Sequence, residues 1–356
     1  MIDWRAWRDR LLASPDFQRW ASRFFLTRAV ARRDARALFD ICAGFVYAQV
    51  LAACVELDLF ERLAAGPMTV DALAAFCDVP APRLRVLLEA ADSLRLLSVR
   101  GASVRLGVLG AALRGNPGVA AMVTHHRLFY ADVANPVGLL RNEIATGLSR
   151  FWPYAGGMGD ATGYSGLMAA TQPMIAAQVL DAYDVSRHEC ILDVGGGDGS
   201  FLRAAAMRAP RARLLLFDLP VVASQAEAGF AASGLAGRVQ IFGGDFTTDA
   251  LPTGADLVTL VRVLHDHDDA HALVVLRAAR QALAPGGTLL LAEPLAAMRG
   301  AAPVGAAYFG FYLMAMGRGR PRSAGDIAAM LTQAGFSTVR QRPTSQPMLT
   351  ALMVAQ

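Results

Sequence analysis

A glycine-rich turn beside a carboxylate is the segment of this sequence best suited to hold a ligand. Residues 191–201 read ILDVGGGDGSF, an apolar strand-like run that enters the turn and leaves it as a helix pattern. Glycine allows the backbone to approach a ligand closely and to adopt positive φ. The dinucleotide spacing G-x-G-x-x-G does not fit, because its last position falls on Ser200 or Leu202. A plain tight turn is the alternative interpretation. The spacing that fits is D-x-G-x-G-x-G, at Asp193, Gly195, Gly197 and Gly199.

Two further carboxylates stand where the next strand-like runs end. Asp218 lies 19 residues beyond Gly199, and Asp245 and Phe246 follow the third run. A carboxylate at the position of Asp218 can accept hydrogen bonds from both hydroxyls of a ribose. Asp245 can accept from the amino group of an adenine, and Phe246 can stack on its ring. The three matched strand ends together favour a ligand site over a plain tight turn.

A histidine and a glutamate follow the fourth and fifth runs. His265 lies in RVLHDHDDAH and Glu293 in LLLAEP, and a histidine oriented by a carboxylate is suited to general-base catalysis. The segment 265–271 also carries six potential metal ligands in seven residues, of which His267 and His271 would share a helical face. The third interpretation is a solvated helix start, where aspartates favour the helix dipole.

The elements that must position these residues alternate between strands and helices. Strand-like runs cover 190–194, 214–218, 239–242, 257–261 and 288–292, and helix patterns lie at 199–209, 221–233 and 268–284. This alternation predicts an α/β fold with a doubly wound parallel sheet in residues 187–356. In such a sheet the ligand site lies at the carboxyl ends of the strands.

The preceding residues divide into three predicted zones. Residues 1–36 combine arginines with tryptophans and phenylalanines, as an amphipathic helical lead-in does. Residues 37–115 give helix, turn, helix and hairpin, the outline of a winged helix, with helices at 38–63 and 82–94 and strands at 96–100 and 103–106. Residues 116–186 are mostly helical. In the second helix of the winged-helix pattern only Arg83 and Arg85 are basic, so dimerisation is favoured over DNA binding.

Composition excludes several classes of protein. The chain has 356 residues, of which 54% are hydrophobic and 18% charged, which excludes intrinsic disorder. The uncharged stretch 41–55 is too short to span a bilayer and predicts a buried helix, and no secretory signal is expected. Four scattered cysteines predict reduced thiols in a cytoplasm. The net charge of +4 is local, because residues 1–36 carry +5 and the remainder −1.

The motif at 193–199 resembles the first motif of class I methyltransferases that use S-adenosyl-L-methionine (SAM). The segments around 265 and 293 resemble the plant-type small-molecule O-methyltransferases, a likeness that spans roughly residues 38–356. The resemblance implies SAM as cofactor, a Rossmann-like domain, a winged-helix dimerisation domain and therefore a homodimer. It places the general base on His265 and the carboxylate that orients it on Glu293, with no metal. It places the cofactor contacts on Asp193, Gly195, Gly197, Asp218, Asp245 and Phe246.

The sequence departs from that family pattern at three points. His267 replaces a tryptophan, and Pro321-Arg322-Ser323 replaces Glu-Arg-Thr, so the second carboxylate that flanks the base is missing. The lysine expected near the cofactor is also missing. Arg262 is the nearest basic residue to that position and is the candidate for its role.

The predicted acceptor pocket is apolar. The helix before the SAM domain contributes Tyr164 and Met168, and the uncharged segment 304–317 contributes Phe311, Tyr312 and Met316. Packing in a core is the alternative for each. His125 and His126 are either pocket wall or packed helix.

Residues 308–323, 23–27 and 42–47 resemble the demethylspheroidene O-methyltransferases, which implies the tertiary 1-hydroxyl of an acyclic carotenoid as the acceptor. A phenolic or polyketide-like acceptor is the alternative, and a DNA-binding regulator that senses SAM is the alternative of another class. Residues 1–36 are expected either to contact the inner membrane peripherally or to pack on the dimer partner. No nucleic acid partner is expected.

Overall fold

A computed structural model describes residues 3–151, 161–298 and 303–356, without the side chains of 161–165. The chain divides into two compact units, residues 1–115 and 116–356.

The first unit contains the predicted order of helix, turn, helix and hairpin. Thr69 caps the helix that follows it, because its hydroxyl accepts from the Ala72 amide at 3.2 Å. The core combines leucines, Phe60 and Val70 from the helical part of the unit with Leu97 and Val104 from the hairpin. Its helices are α1 (Trp4–Ala13), α2 (Pro15–Ala21), α3 (Arg28–Glu56), α4 (Leu59–Arg62), α5 (Val70–Cys77), α6 (Ala81–Ser93) and α7 (Val108–Arg114). Its strands, β1 (Met68–Thr69), β2 (Leu97–Arg100) and β3 (Ser103–Leu106), pair antiparallel in the order β1-β3-β2.

The prediction for the long apolar helix was wrong in two respects. The helix predicted at 38–63 is interrupted after Glu56, where Asp58 adopts a left-handed φ of 54° and α4 begins. The helix is also not buried: within α3, all of which is described, Cys54 alone is buried, and Phe39, Ile41 and Phe45 are each at least 65% exposed. Among the described helices, α3 is long and apolar enough to cross a bilayer by length and composition only, with a mean hydropathy of 1.9.

The second unit is a three-layer α/β fold, which confirms the predicted class. Its helices are α8 (Pro117–Val133), α9 (Pro136–Leu140), α10 (Gly147–Phe151), α11 (Ala161–Ala182), α12 (Ser200–Arg208), α13 (Pro220–Ala232), α14 (Asp269–Ala282), α15 (Phe309–Met316) and α16 (Ala324–Gln333). Its strands are β4 (Cys190–Val194), β5 (Arg213–Asp218), β6 (Val239–Gly243), β7 (Ala255–Val261), β8 (Leu283–Glu293), β9 (Val339–Arg342) and β10 (Ala351–Ala355).

Within the described part of this unit, seven strands form one sheet in the order β6-β5-β4-β7-β8-β10-β9. The five predicted strands, β4 to β8, are present and parallel, and β10 pairs antiparallel with both β8 and β9. Helices α11, α12 and α13 pack on one face and α14 and α16 on the other. The parallel arrangement brings the carboxyl ends of β4, β5, β6, β7 and β8 to one edge of the sheet.

Candidate active site

The glycine turn joins β4 to α12 and is shaped by three left-handed glycines. Gly195, Gly197 and Gly199 have φ of 67°, 59° and 76°. A Cβ at Gly199 would overlap the ring of Phe230, so this glycine is needed for packing as well as for backbone conformation. At Gly197, no described atom lies within 4 Å of where a Cβ would be. The turn is therefore open to a ligand at Gly197 and closed at Gly199.

Two buried carboxylates flank this turn. Asp193 accepts from the Thr259 hydroxyl at 2.6 Å through Oδ1, while its Oδ2 is buried with no hydrogen-bond partner among the described residues. Asp218 accepts from the amides of Gly197 and Leu219, both at 2.7 Å. Burial raises the pKa of Asp193 to about 7 and that of Asp218 to about 6. A cationic ligand that reached these groups would favour their ionised forms.

Asp245 and Phe246 lie just after β6, as predicted. The Asp245 carboxylate accepts from the amide and the hydroxyl of Thr247, at 2.8 and 2.6 Å, so it shapes its own turn. The Phe246 ring meets the His267 ring edge to face at a centroid distance of 5.4 Å. His267, at the position where the family has tryptophan, therefore extends the aromatic surface next to Phe246.

His265 and Glu293 are in direct contact. β7 and β8 are neighbours, with Val261 paired to Ala292, so the residues after β7 lie next to the end of β8. Glu293 is buried, and its Oε2 hydrogen-bonds His265 Nδ1. Its Oε1 accepts from the amides of Val263 and Leu264 at 2.9 and 2.6 Å. Because an ionised carboxylate only accepts, this contact requires a proton on Nδ1, and the neutral imidazole then has its lone pair on Nε2.

A buried carboxylate also faces the second ring nitrogen of His265. Asp266 Oδ1 lies 3.2 Å from His265 Nε2. Burial raises the pKa of Asp266 to about 7. Burial alone would lower the pKa of His265, but Asp266 and Glu293 together raise it above its usual value. The sequence placed Asp266 only among candidate metal ligands, so its position beside the base was missed.

Arg262 is hydrogen-bonded to three residues of α11. Its φ is 58°, and its guanidinium donates to the Thr171 hydroxyl at 2.7 Å, to the Met168 carbonyl at 3.2 Å and to the Gln172 side chain. Arg262, which the sequence analysis assigned to the cofactor, therefore connects the loop after β7 to α11.

The residues predicted to line the acceptor pocket meet in one apolar cluster. Met316 is buried there, and Met168, Phe311 and Tyr312 pack against it while remaining partly exposed. The side chain of Tyr164 lies outside the described residues. Phe309, which was not predicted, meets the ring of His265 edge to face at a centroid distance of 6.1 Å. α15 therefore runs past the base.

Two histidine–tyrosine pairs join α8 to the segment that enters α15. His125 Nε2 lies 2.7 Å from the Tyr312 hydroxyl, and His126 Nε2 lies 2.8 Å from the Tyr308 hydroxyl. Burial lowers the pKa of His125 to about 4 and also lowers that of His126, while burial raises the pKa of both tyrosines. All four side chains are therefore neutral at neutral pH. The consecutive histidines were the available sequence signal, but Tyr308 was not identified.

The metal interpretation of residues 265–271 lacks its geometric basis. Asp268 caps α14, because its carboxylate accepts from the His271 amide at 2.9 Å, so the helix begins after His267. His267 and His271 consequently do not share a helical face. Among the described residues, no three His, Cys, Asp or Glu side chains converge as a metal site would require.

A seven-stranded sheet of this order, with a glycine turn after β4 and carboxylates at successive strand ends, defines the class I SAM-dependent methyltransferases. The buried Oδ2 of Asp193 and the open space at Gly197 suit this cofactor, which presents cationic groups and no pyrophosphate. The O-methyltransferase domain model matches residues 130–337, and the O-methyltransferase dimerisation domain matches residues 39–110. The chain belongs to the O-methyltransferase family.

The similar proteins agree with this assignment. The chain is 42% identical to the demethylspheroidene O-methyltransferase of Cereibacter sphaeroides, over 97% of this chain and 93% of the relative. It is 40% identical to that of Rhodobacter capsulatus, over 93% and 84%. Human N-acetylserotonin methyltransferase, solved in complex with SAM, has a TM-score of 0.74 and 25% identity, with coverage of 91% of this chain and 97% of that one. The protein is a SAM-dependent O-methyltransferase, and its dimerisation domain supports a homodimer.

Proposed function

We propose that this enzyme methylates the tertiary 1-hydroxyl of an acyclic carotenoid of the demethylspheroidene type, with His265 as the general base. The observation that carries the proposal is the buried contact between His265 and Glu293, on the loop that packs against the glycine turn. A Cβ at Gly195 would lie 2.7 Å from the Val263 side chain, which shows how closely turn and loop approach. The acceptor class is taken from the two demethylspheroidene enzymes to which the chain is similar.

The residues suit a reaction in which proton removal accompanies methyl transfer. Bound SAM supplies an electrophilic methyl group on its sulfonium. Glu293 holds the imidazole so that Nε2 can take the proton of the acceptor hydroxyl, and it stabilises the imidazolium that forms. A tertiary alcohol is much less acidic than a phenol, so it depends more on a base, which contributes about 10²–10⁴-fold in rate. Alignment of donor and acceptor contributes up to about 7–11 kcal/mol.

The side chains of α8 and α15 that would line the acceptor pocket support an acceptor that is long, apolar and uncharged. The side chains that pack with α15 are aromatic or aliphatic, and the two histidine–tyrosine pairs are neutral. Contact between these neutral side chains and hydrocarbon costs little, because none of them is an ion that must be desolvated.

The exposed rings of the lead-in support contact with a membrane surface. Trp4, Trp20 and Phe25 are more than half exposed, and arginines lie between them. Indole rings with arginines are suited to the interface of an anionic bilayer. Flotation of the full-length protein with phosphatidylglycerol vesicles, and its loss in the Trp4→Ala, Trp20→Ala double variant, is expected. Absence of flotation for the wild type would instead favour a second copy as the cover for this segment.

The experiment that tests the reaction is methyl transfer from labelled SAM by the purified protein. Detergent-dispersed 1-hydroxy carotenoids are offered beside a panel of phenols, with His265→Ala in parallel and with or without EDTA. Label on the carotenoid, a large loss in the variant and indifference to EDTA are expected. Label on a phenol alone would overturn the acceptor, and loss with EDTA alone would overturn the metal-independent mechanism. Binding of SAM without methyl transfer to any acceptor would favour the alternative that the protein is a DNA-binding regulator that senses SAM.

A further inference from the structure

The segment that lacks the family's second carboxylate holds the catalytic loop in another way. The Arg322 side chain, 1% exposed, follows Pro321 directly. Its Nη1 donates to the Leu264 carbonyl at 2.7 Å and its Nη2 to the His267 carbonyl at 2.8 Å. These two carbonyls lie on either side of His265 along the chain. One planar guanidinium therefore spans the turn that presents the imidazole.

The guanidinium is fixed from its other side by Asp269. Arg322 Nε and Nη2 donate to Asp269 Oδ1 at 3.0 and 2.8 Å. Hydrogen bonds from Arg320 and Arg322 lower the pKa of Asp269 to about 2, so it is ionised throughout the working range. Arg320 shares Asp269, at 3.0 and 2.9 Å, but its side chain is 44% exposed and does not bond the loop carbonyls. The Arg320 backbone amide donates to the His265 carbonyl at 3.1 Å, a bond that a change of side chain leaves in place, so the two arginines differ in the contacts of their side chains with the loop.

We infer that Arg322 is a positioning residue for the general base: its guanidinium fixes the loop backbone at Leu264 and His267 and so holds the His265 imidazole against Glu293. This inference rests on the proposed role of His265. Glu293, at the end of β8, accepts hydrogen bonds from the amides of Val263 and Leu264 in the same turn. Glu293 therefore binds amides of the loop, whereas Arg322 binds the carbonyls of Leu264 and His267. A rigid frame of this kind is what catalytic geometry requires of supporting residues.

Lysine at position 322 separates geometry from charge. Lysine keeps the positive charge but cannot bond two carbonyls and a carboxylate in one plane. The groups that face His265 are Glu293 from β8, Asp266 and His267 from its own loop, and Arg262. When the imidazole moves away from Glu293, it loses one of the two carboxylates that raise its pKa, while Asp266, burial and Arg262 remain, so the pKa of His265 should fall. If Arg322 acted through its charge alone, Arg322→Met would leave the imidazole in place and would raise the pKa of His265.

The test is an NMR titration of histidine ring carbons in the full-length protein, together with kinetics. The chain has six histidines, which makes selective labelling tractable. For Arg322→Lys we expect a lower His265 pKa and a kcat reduced by about 10²-fold at unchanged KM for SAM. Arg320→Lys is the matched control and should change neither quantity. The His188 signal, from a residue whose Nδ1 lies 2.9 Å from Asp256, reports whether each variant is folded.

Two results would overturn the inference. The first is an unchanged His265 pKa in Arg322→Lys with a raised value in Arg322→Met, which would make Arg322 a source of charge only. The second is a loss of kcat that matches the loss of folded protein. The NMR titration needs no acceptor, so a wild type that leaves carotenoids unmethylated would overturn the proposed function without touching this result.

Discussion

Replacement of Glu293 by glutamine should inactivate the enzyme by reversing the tautomer of its base. In the native protein Glu293 Oε1 accepts two backbone amides and Oε2 contacts His265 Nδ1. The amide oxygen of glutamine would keep the two backbone bonds, so its NH₂ group would face Nδ1. Nδ1 must then accept, and the ring proton moves to Nε2. An imidazole with its proton on Nε2 cannot take a proton from the acceptor hydroxyl.

The expected loss follows from the role of the base. General-base catalysis contributes about 10²–10⁴-fold, and the same tautomer reversal in a Ser-His-Asp triad lowers kcat by about 10⁴-fold. We expect Glu293→Gln to lower kcat by about 10³-fold, equivalent to about 4 kcal/mol of transition-state stabilisation. KM for SAM should not change, because the glycine turn is untouched.

The chain provides a matched control for this substitution. Asp256 also contacts a histidine Nδ1, that of His188 at 2.9 Å, and it accepts from the amides of Glu189 and Cys190. Asp256→Asn therefore makes the same chemical change in a similar arrangement away from the glycine turn, and kcat per folded molecule should stay at the wild-type value. A Glu293→Gln enzyme that retained a tenth or more of wild-type kcat would refute the assignment of the base.

Cofactor affinity, stability and assembly should respond to other changes. Burial raises the pKa of Asp193 to about 7, and a cationic ligand selects its ionised form, so SAM affinity should increase as the pH rises to about 7. Calorimetry in two buffers should detect the release of a proton on binding, and Asp193→Asn should abolish that release. An affinity that does not change with pH would contradict this role of Asp193. Gly199→Ala should lower the free energy of unfolding by about 1–3 kcal/mol more than Gly197→Ala in urea titrations, because only the former adds an overlap with Phe230. Ile41→Asp, on the exposed face of α3, should convert the dimer to monomer in sedimentation analysis, whereas a mutant that stayed dimeric would place the interface elsewhere.

The parallel sheet and the strand ends were predictable because they depend on local patterns. Apolar runs of strand length that alternate with helical periods specify β4, β5 and β6 to within one residue, and the carboxyl ends of β7 and β8 equally well, although β8 begins five residues earlier than predicted. The meeting of His265 with Glu293 then follows from topology, since residues after two adjacent parallel strands lie at one edge. β9 and β10 were missed because they pair antiparallel at the far end of the sheet, where no intervening helix marks them.

The remaining features depend on partners that are distant in sequence. An apolar helix such as α3 has the same composition whether its own chain or another covers it, so its exposure could not be predicted. The direction of Arg262 follows from a left-handed φ of 58°, which no composition rule gives for arginine. In residues 321–323 the sequence shows only that a carboxylate is missing at Pro321. The hydrogen bonds from Arg322 to the carbonyls of Leu264 and His267 could not be predicted, because they depend on the fold.

The loop that carries His265 is held by three separate elements. Glu293 at the end of β8 accepts hydrogen bonds from amides of the loop, and Arg322 donates to carbonyls of the loop. Arg262, at the start of the loop, donates to α11. We expect the proposed base, oriented in this way, to act without a second carboxylate at position 321, and Asp266 lies 3.2 Å from its Nε2. One of these ties reaches the predicted acceptor pocket, because Arg262 also donates to the Met168 carbonyl at 3.2 Å. We expect selectivity among acceptors to lie in α8 and in the part of α15 beyond Phe309, where substitutions should change which hydroxyl is methylated while the His265 pKa stays constant.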